Sequence, residues 1–152
     1  MHIGQKLPNV TLPRDGGANV DLSKLAGKNV VLFFYPRDNT PGCTTESIEF
    51  SRMKDAFSDL NTVVYGVSKD SVASHDKFVA KRELTIPLLS DENHDLCETF
   101  GVWKEKNMYG KKFMGIERST FLFNADGDLV NEWRKVKVAD HVETVLQAVK
   151  DL

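Results

Sequence analysis

The chain has 152 residues, of which 41% are hydrophobic and 28% charged, and its formal net charge is −2. This composition is that of an ordinary globular protein, and it lacks the basic excess that attracts nucleic acids or anionic membranes. The length predicts one domain over residues 1–152. Because no apolar run approaches the ~20 residues of a spanning helix and the start lacks a secretion signal, we expect a cytoplasmic protein without nucleic-acid or membrane partners.

The N-terminal region predicts small extended elements. Residues 10–20 contain Pro13 and the pair Gly16-Gly17, which indicate a turn between two short strands and hence a small hairpin. Residues 21–25 (DLSKL) predict one helical turn before the next glycine.

The stretch 29–50, NVVLFFYPRDNTPGCTTESIEF, predicts a strand, a turn and a helix. Its six apolar residues 30–35 are rich in β-branched and aromatic types, which predicts a strand buried on both faces. A turn follows Pro36, and Thr40 and Pro41 are the expected N-cap and first residue of the helix. The apolar residues of this helix recur at helical spacing, at Phe50, Met53, Phe57 and Leu60.

Cys43 lies in the first turn of this predicted helix. Backbone N–H groups there have no intrahelical partner and the helix dipole is positive, and both features favour the nucleophilic thiolate. Phe50 lies seven residues further on, nearly two turns, so we expect Cys43 on the core-facing side and partly sheltered. A free cysteine is more often a small buried hydrophobe, but its place at a well-specified helix start favours a reactive thiol here.

Residues 62–67 (TVVYGV) predict a second strand, joined to the first by a right-handed crossover. The two strands then run parallel, and Cys43 lies at the carboxyl edge of the sheet, where α/β folds bind ligands. Residues 71–84 predict a solvent-covered helix, with Val72 and Val79 as its sparse apolar face.

The second half of the chain continues the α/β pattern. We predict an edge strand at 86–89, a brief helix at 95–100, and a loop in the polar, basic segment 104–112. Two β-rich runs, 117–123 and 129–136, flank a glycine-containing turn and predict an antiparallel hairpin. A last helix should begin at a capping box formed by Asp140 and Glu143. A mixed sheet with helices around it results.

The sequence FYPRDNTPGCTTE, with Pro36, Thr40 and Cys43 in the pattern P-x-x-x-T-x-x-C, resembles the active-site loop of the peroxiredoxins. The longer segment DNTPGCTTE at 38–46 most resembles the bacterioferritin comigratory protein branch, also called the PrxQ type. The segments SDE at 90–92, CETFGVW at 97–103 and GIERSTFLF at 115–123 resemble the same branch. The resemblance implies a thioredoxin-like fold and a thiol-dependent peroxidase that reduces hydrogen peroxide and organic hydroperoxides, without metal or other cofactor.

Four residues are the candidate catalytic set. The resemblance implies that Cys43 attacks the peroxide and that Arg118, just before a late strand, holds thiolate and peroxide with its forked donors. The hydroxyl of Thr40 can orient a peroxide oxygen. Pro36 can shape the loop and exclude water without adding a competing N–H donor.

Two further residues are candidates for binding the substrate. The backbone N–H groups of Gly42 and Cys43 can donate to the peroxide oxygens. Glu46, three residues after Cys43, suits the helix dipole and can either orient Arg118 by an ion pair or act only as an acid at the helix start.

The sequence departs from the branch pattern where the second, resolving cysteine is expected. Many proteins of this branch carry the resolving cysteine five residues after the first, and that position is Ile48 here. Others carry it in the helix that corresponds to residues 71–84, which contains no cysteine here. Cys97 is the remaining candidate, but its neighbours Leu96 and Phe100 indicate a packing face. We therefore predict a one-cysteine enzyme, reset by thioredoxin or by glutaredoxin with glutathione.

Other interpretations of the cysteines are less favoured. A thiol–disulfide oxidoreductase needs a cysteine at the position of Glu46, and His94 with Cys97 lacks a second pair of ligands for zinc. A redox sensor or holdase that uses Cys43 as a switch stays open, and turnover distinguishes it from an enzyme. We expect a monomer, with weak dimerisation through the loop side of the sheet as the alternative.

Overall fold

The computed structural model describes all 152 residues and places five helices around a central five-stranded sheet. In chain order the elements are β1 (Thr11–Pro13), β2 (Asn19–Asp21), a 3-10 turn (Leu22–Leu25), β3 (Asn29–Phe34), α1 (Pro41–Arg52), α2 (Lys54–Ser58), β4 (Thr62–Ser68), α3 (Val72–Arg82), β5 (Leu88–Ser90), α4 (Asp95–Thr99), β6 (Trp103–Met108), β7 (Lys111–Ile116), β8 (Ser119–Phe123), β9 (Leu129–Trp133) and α5 (His141–Lys150). No helix is both long enough and apolar enough to cross a membrane.

The central sheet has the order β5-β4-β3-β8-β9 and is mixed, as predicted. β3 pairs in parallel with β4 and antiparallel with β8, while β5 and β9 form the two edges. The apolar run 30–35 is buried along its whole length, which confirms the prediction of a strand covered on both faces. The separate N-terminal hairpin of β1 and β2 and the 3-10 turn after it are also confirmed.

Two hydrophobic clusters lie on opposite faces of this sheet. Successive side chains of a strand point to opposite faces, so Phe33 enters one cluster and Phe34 the other. The first cluster contains residues of α1, α2, α3 and α5, and Cys43 belongs to it. The second lies under the N-terminal segment and α4, and it contains Cys97. The sheet therefore separates the two cysteines.

The helix that carries Cys43 begins as predicted, with Thr40 at the N-cap and Pro41 as first residue. The prediction of one continuous helix to residue 60 is wrong, because α1 ends at Arg52 and α2 starts after Met53. Met53 has φ −96° and ψ 8°, outside the helical range, although Phe50 and Phe57 on either side are both fully buried. Apolar spacing does not detect this break, since both pieces face the same core.

The prediction of a loop at residues 104–112 is also wrong. β6 and β7 form a two-stranded hairpin there, with Lys106 opposite Phe113. Its turn residues Tyr109 and Gly110 have φ of 54° and 79°, which is the left-handed geometry of a tight hairpin turn. Most of its side chains are exposed on both faces, so the sequence shows none of the alternation that marks a half-buried strand.

The structure corrects two details of the predicted helices. The buried residues of α3 are His75 and Phe78, whereas Val72 and Val79 are only partly buried. At the start of α5, Asp140 is the N-cap but has φ 61° and accepts no capping hydrogen bond, so the predicted capping box does not form. The edge strand β5, the short helix α4 and the β8–β9 hairpin lie close to their predicted positions.

Candidate active site

Cys43 is the third residue of α1 and lies where the sequence predicts, in the first turn and on the core-facing side. Only 1% of its surface is exposed. The backbone N–H groups of Gly42 and Cys43 belong to the first turn, where a helix offers them no internal acceptor. The sulfur is thus sheltered but close to unused donors.

Arg118 reaches Cys43 from the other side of the site. Because Ser119 pairs with Phe34, the residue before β8 lies beside the loop that leaves β3. The Nη2 group of Arg118 donates to the sulfur of Cys43 at 3.3 Å, and its Nη1 group donates to Oε1 of Glu46 at 2.7 Å. One planar guanidinium therefore holds both the sulfur and a buried carboxylate.

Glu46 is fully buried and has no contact with solvent. Burial raises its pKa to about 7, and the charge and hydrogen bond of Arg118 oppose that rise. Its second oxygen, Oε2, has no hydrogen-bond partner within the protein. Of the two interpretations of Glu46, the structure shows the contact that orients Arg118.

Gly42 allows the guanidinium to lie against the start of the helix. A Cβ atom at this position would be 3.1 Å from Nη2 of Arg118 and 3.9 Å from Cγ2 of Val138. The first distance is shorter than most real contacts of this kind, so any side chain here would displace Arg118.

Thr40 and Pro36 bracket the loop that precedes Cys43, and both are partly buried. The Thr40 hydroxyl donates to the carbonyl oxygen of Arg37 at 2.9 Å rather than capping the helix. Since its only hydrogen is used in this bond, the hydroxyl keeps lone pairs that can accept a hydrogen bond from a hydroperoxide. The side chain of Arg37 is exposed.

A buried polar cluster behind this loop was not predicted. Asp38 accepts a hydrogen bond from the Tyr35 hydroxyl at 2.6 Å and another from the Ser74 hydroxyl at 2.8 Å, and its Oδ2 lies 2.7 Å from Nδ1 of His75. Ser74 and His75 belong to α3, which is remote from Asp38 in sequence. The one available indication was that His75 precedes the buried Phe78 by three residues and so shares its helix face.

Two further polar side chains near the site come from distant segments. His141 is buried, its Nε2 lies 2.8 Å from the Thr120 hydroxyl, and burial together with the charge of Arg118 lowers its pKa to about 4. Burial and the charge of Arg118 also lower the pKa of Lys106, while Cys43 opposes this shift. Lys106 therefore lies within electrostatic reach of the sulfur.

Cys97 is completely buried in the second cluster. Its backbone N–H donates to Asp91 at 2.8 Å, and burial together with Asp91 raises the pKa of its thiol. The structure does not bring Cys97 to the site of Cys43.

Comparison with known proteins gives concordant matches. The model of the AhpC/TSA family matches residues 3–131. Peroxiredoxin Bcp of Bacillus subtilis is 51% identical over 152 residues, which cover 100% of this chain and 97% of the relative. The structure of Xanthomonas campestris bacterioferritin comigratory protein superposes with a TM-score of 0.92 at 46% identity, covering 99% of this chain and 98% of the other. A variant of Xylella fastidiosa PrxQ gives 0.95 at 46% identity, with 99% and 96% covered.

These matches extend over the whole sheet and its helices, and they confirm the thioredoxin-like fold that the sequence resemblance implied. In this fold the buried Cys43 at the start of α1 contacts Arg118, the residue directly before β8. The chain belongs to the AhpC/TSA family, as a thiol-dependent peroxidase of the Bcp (PrxQ) branch of the peroxiredoxins.

Proposed function

We propose that Cys43 is the nucleophile that attacks the peroxide and that Arg118 is its main electrostatic partner. The observation that carries this proposal is the 3.3 Å contact between Nη2 of Arg118 and the sulfur of Cys43, a residue with only 1% of its surface exposed. A cation at this distance stabilises the thiolate before the reaction and the oxygen that receives its charge during the reaction.

Ionisation of the thiol explains only part of the expected rate. A thiol of ordinary pKa is already about 3% ionised at neutral pH, so full ionisation adds only about 30-fold, or about 2 kcal/mol. In the attack, sulfur forms a bond to one peroxide oxygen, the O–O bond breaks, and the second oxygen leaves as water or alcohol after taking a proton. Sulfur loses two electrons and becomes a sulfenic acid. Donors around both oxygens must therefore act on the transition state.

The other site residues supply those donors and their positions. The N–H groups of Gly42 and Cys43, which lie in the first turn of α1, can donate to the peroxide oxygens, and the Thr40 hydroxyl can accept a hydrogen bond from the peroxide. Pro36 closes the loop side without a competing N–H group. Glu46 fixes the plane of the Arg118 guanidinium through its 2.7 Å ion pair.

The substrates that fit this site are hydrogen peroxide and small organic hydroperoxides. The sheltered sulfur of Cys43, with only 1% of the residue exposed, favours a small electrophile. Alkyl peroxide reduction is described for the Xanthomonas campestris relative. We extend it to this chain on the basis of the shared fold and the cysteine–arginine contact.

The sulfenic acid is reset by an external thiol. Cys97 lies in the other hydrophobic cluster, and Ile48 occupies one usual place of a resolving cysteine. The external thiol forms a mixed disulfide with Cys43 and releases water, and a second thiol then frees Cys43. We propose thioredoxin, or glutaredoxin with glutathione, as the reductant, and we propose that the enzyme is a cytoplasmic monomer.

Steady-state consumption of peroxide, with each reductant in turn, tests the proposal. Cys43→Ser should abolish turnover, because a neutral hydroxyl is not ionised at neutral pH. Cys97→Ser, which changes the other buried cysteine, is the matched control and should retain turnover. Turnover by Cys43→Ser would refute the assignment, and a wild type that stops after one equivalent of peroxide would indicate a sensor instead.

A further inference from the structure

The carboxylate of Asp38 is the most heavily bonded side chain near the active site that the chemistry above does not use. It lies between Pro36 and Thr40, is almost fully buried, and receives the hydroxyl groups of Tyr35 and Ser74. The backbone N–H of Asp38 donates to Asp70 at 2.8 Å. These contacts tie the loop before Cys43 to the end of β4 and to α3.

The partners of His75 determine its protonation. Its Nε2 lies 2.9 Å from the carbonyl oxygen of Leu89, which can only accept, so Nε2 carries a hydrogen. Its Nδ1 lies 2.7 Å from Oδ2 of Asp38, a carboxylate that also accepts hydrogen bonds from the hydroxyl groups of Tyr35 and Ser74. Both ring nitrogens thus face acceptors, and the ring is an imidazolium that forms a buried ion pair with Asp38.

The active site needs both a closed and an open form of this loop. In the closed form, 1% of Cys43 is exposed and Arg118 contacts the sulfur, which suits a small peroxide. An external thiol, especially one carried by a protein, must reach the same sulfur to form a mixed disulfide. The start of α1 must therefore move away from Arg118 between the two steps.

We propose that the Asp38–His75 ion pair is a latch that holds the active-site loop closed for the peroxide step and whose release exposes Cys43 to the external thiol. This inference rests on the proposed function, and it makes His75 a positioning residue that acts through Asp38. The latch joins the loop to α3 rather than to α1, so it can open without loss of the main hydrophobic contacts of α1.

The latch responds to pH in a defined direction. The groups that act on His75 are Asp38 in the loop after β3, Asp70 after β4, and the Leu89 carbonyl of β5. Burial alone would lower the pKa of His75, but these acceptors together raise it above its ordinary value. Above that pKa, Nδ1 loses its proton and its lone pair faces the carboxylate, so the latch weakens as pH rises.

Alkylation of Cys43 in the reduced protein by a maleimide, followed by peptide mass mapping, measures opening without any need for peroxidase activity. His75→Gln keeps a donor toward Leu89 but loses the contact with Asp38, and it should speed alkylation about 10-fold or more. His75→Asn places a neutral donor toward Asp38 and should stay close to the wild type. Val79→Ala, a core change on the same helix without contact to Asp38, is the control for general destabilisation.

Two results would overturn the latch. One is alkylation of His75→Gln no faster than that of Val79→Ala. The other is a ratio of wild-type to His75→Asn alkylation rates that stays constant from about pH 6 to about pH 9. The latch predicts that this ratio changes, because only the wild type has the titrating group.

In single-turnover assays, His75→Gln should slow the peroxide step and speed reduction of the sulfenic acid. A peroxidase-inactive wild type would refute the proposed function, yet leave the alkylation result interpretable.

Discussion

At the level of single residues, one guanidinium group in the candidate site contacts both the sulfur of Cys43 and the carboxylate of Glu46. Gly42 provides the space for this group, and burial of Glu46 keeps the ion pair away from water. The two contacts use different nitrogens of one rigid plane, so the position of the charge is fixed as well as its sign.

Arg118→Lys tests whether this geometry matters. A lysine keeps the charge but cannot donate in a fork to the sulfur and to Glu46 together, so we expect the second-order rate constant with hydrogen peroxide to fall roughly 10- to 100-fold. Stopped-flow measurement of Cys43 oxidation gives this constant. Arg37→Lys, at an exposed arginine of the loop before Cys43, is the control and should have no effect. Equal rates for Arg118→Lys and wild type would remove Arg118 from the reaction.

The sequence predicts some residues of the site and cannot predict others. Cys43, Thr40 and Gly42 lie in one local segment, and Arg118 follows from the resemblance of a second segment. The pairing of Asp38 with His75 and of Thr120 with His141 depends on how separate elements pack, which no local pattern records. A buried histidine also looks the same in the sequence as an exposed one.

At the level of elements, the sequence predicts the strands with a covered face well, because burial imposes a pattern on them. β3 is a continuous apolar run, and β8 and β9 flank a recognisable turn. The β6–β7 hairpin is missed because backbone pairing and a Tyr109–Gly110 turn form it, while its side chains stay largely in solvent.

Lys106 is the residue through which this hairpin should act. Its stem lies over Gly115, where a Cβ would be 3.3 Å from Cδ of Lys106, and its charge is felt by Cys43 and Arg118. We expect Lys106→Met to lower the rate with a carboxylate-bearing hydroperoxide about 3- to 5-fold and to change the rate with hydrogen peroxide less. The difference in rate between the wild type and Lys106→Met should become smaller at high salt, because salt screens the charge of Lys106.

The matched control for this prediction is Lys112→Met. Lys112 lies on the same hairpin but points to its other face, where it pairs with Glu105 at 3.7 Å. If the two variants have the same rates with the charged hydroperoxide, Lys106 has no special role at the site.

At the level of the whole molecule, the central sheet keeps the two cysteines in different hydrophobic clusters. A disulfide needs Cα atoms within about 7 Å, so joining Cys43 to Cys97 would require part of the sheet or its helices to unfold. The position of Cys97 thus supports the proposal of a one-cysteine enzyme.

Intact-mass measurement after one equivalent of peroxide, with dimedone present, tests this proposal. We expect one dimedone adduct, located on Cys43 by peptide mapping, because the sulfenic acid has no internal thiol to react with. A protein two hydrogens lighter, with Cys43 and Cys97 in one cross-linked peptide, would show instead that Cys97 resolves Cys43. Cys97→Ser treated in the same way serves as the reference.

The acid stability of the molecule should depend on His141. The unfolded chain binds a proton at this histidine below about pH 6.5, whereas burial and Arg118 lower the folded-state pKa to about 4. Stability is therefore lost as the pH falls between these values, by up to about 3 kcal/mol. His75 has the opposite sign, because its pKa is raised and its contribution is lost as the pH rises.

Urea unfolding at about pH 7 and about pH 5 measures this dependence. His141→Gln has no titrating ring, so its loss of stability between the two pH values should be smaller than that of the wild type. His2→Gln, at an exposed histidine, should behave as the wild type does. The same loss in His141→Gln and wild type would assign the acid sensitivity to other groups.

The separation of the two cysteines also bears on how quickly peroxide inactivates the enzyme. In the one-cysteine cycle that we propose, the sulfenic acid of Cys43 persists until it meets either a reducing thiol or another peroxide molecule. Reaction with the peroxide gives a sulfinic acid, which a thiol does not reduce. The number of turnovers before inactivation then scales with the ratio of reductant to peroxide in the surrounding solution. Such an enzyme keeps its activity for many turnovers where peroxide is scarce, and it is progressively inactivated where peroxide accumulates.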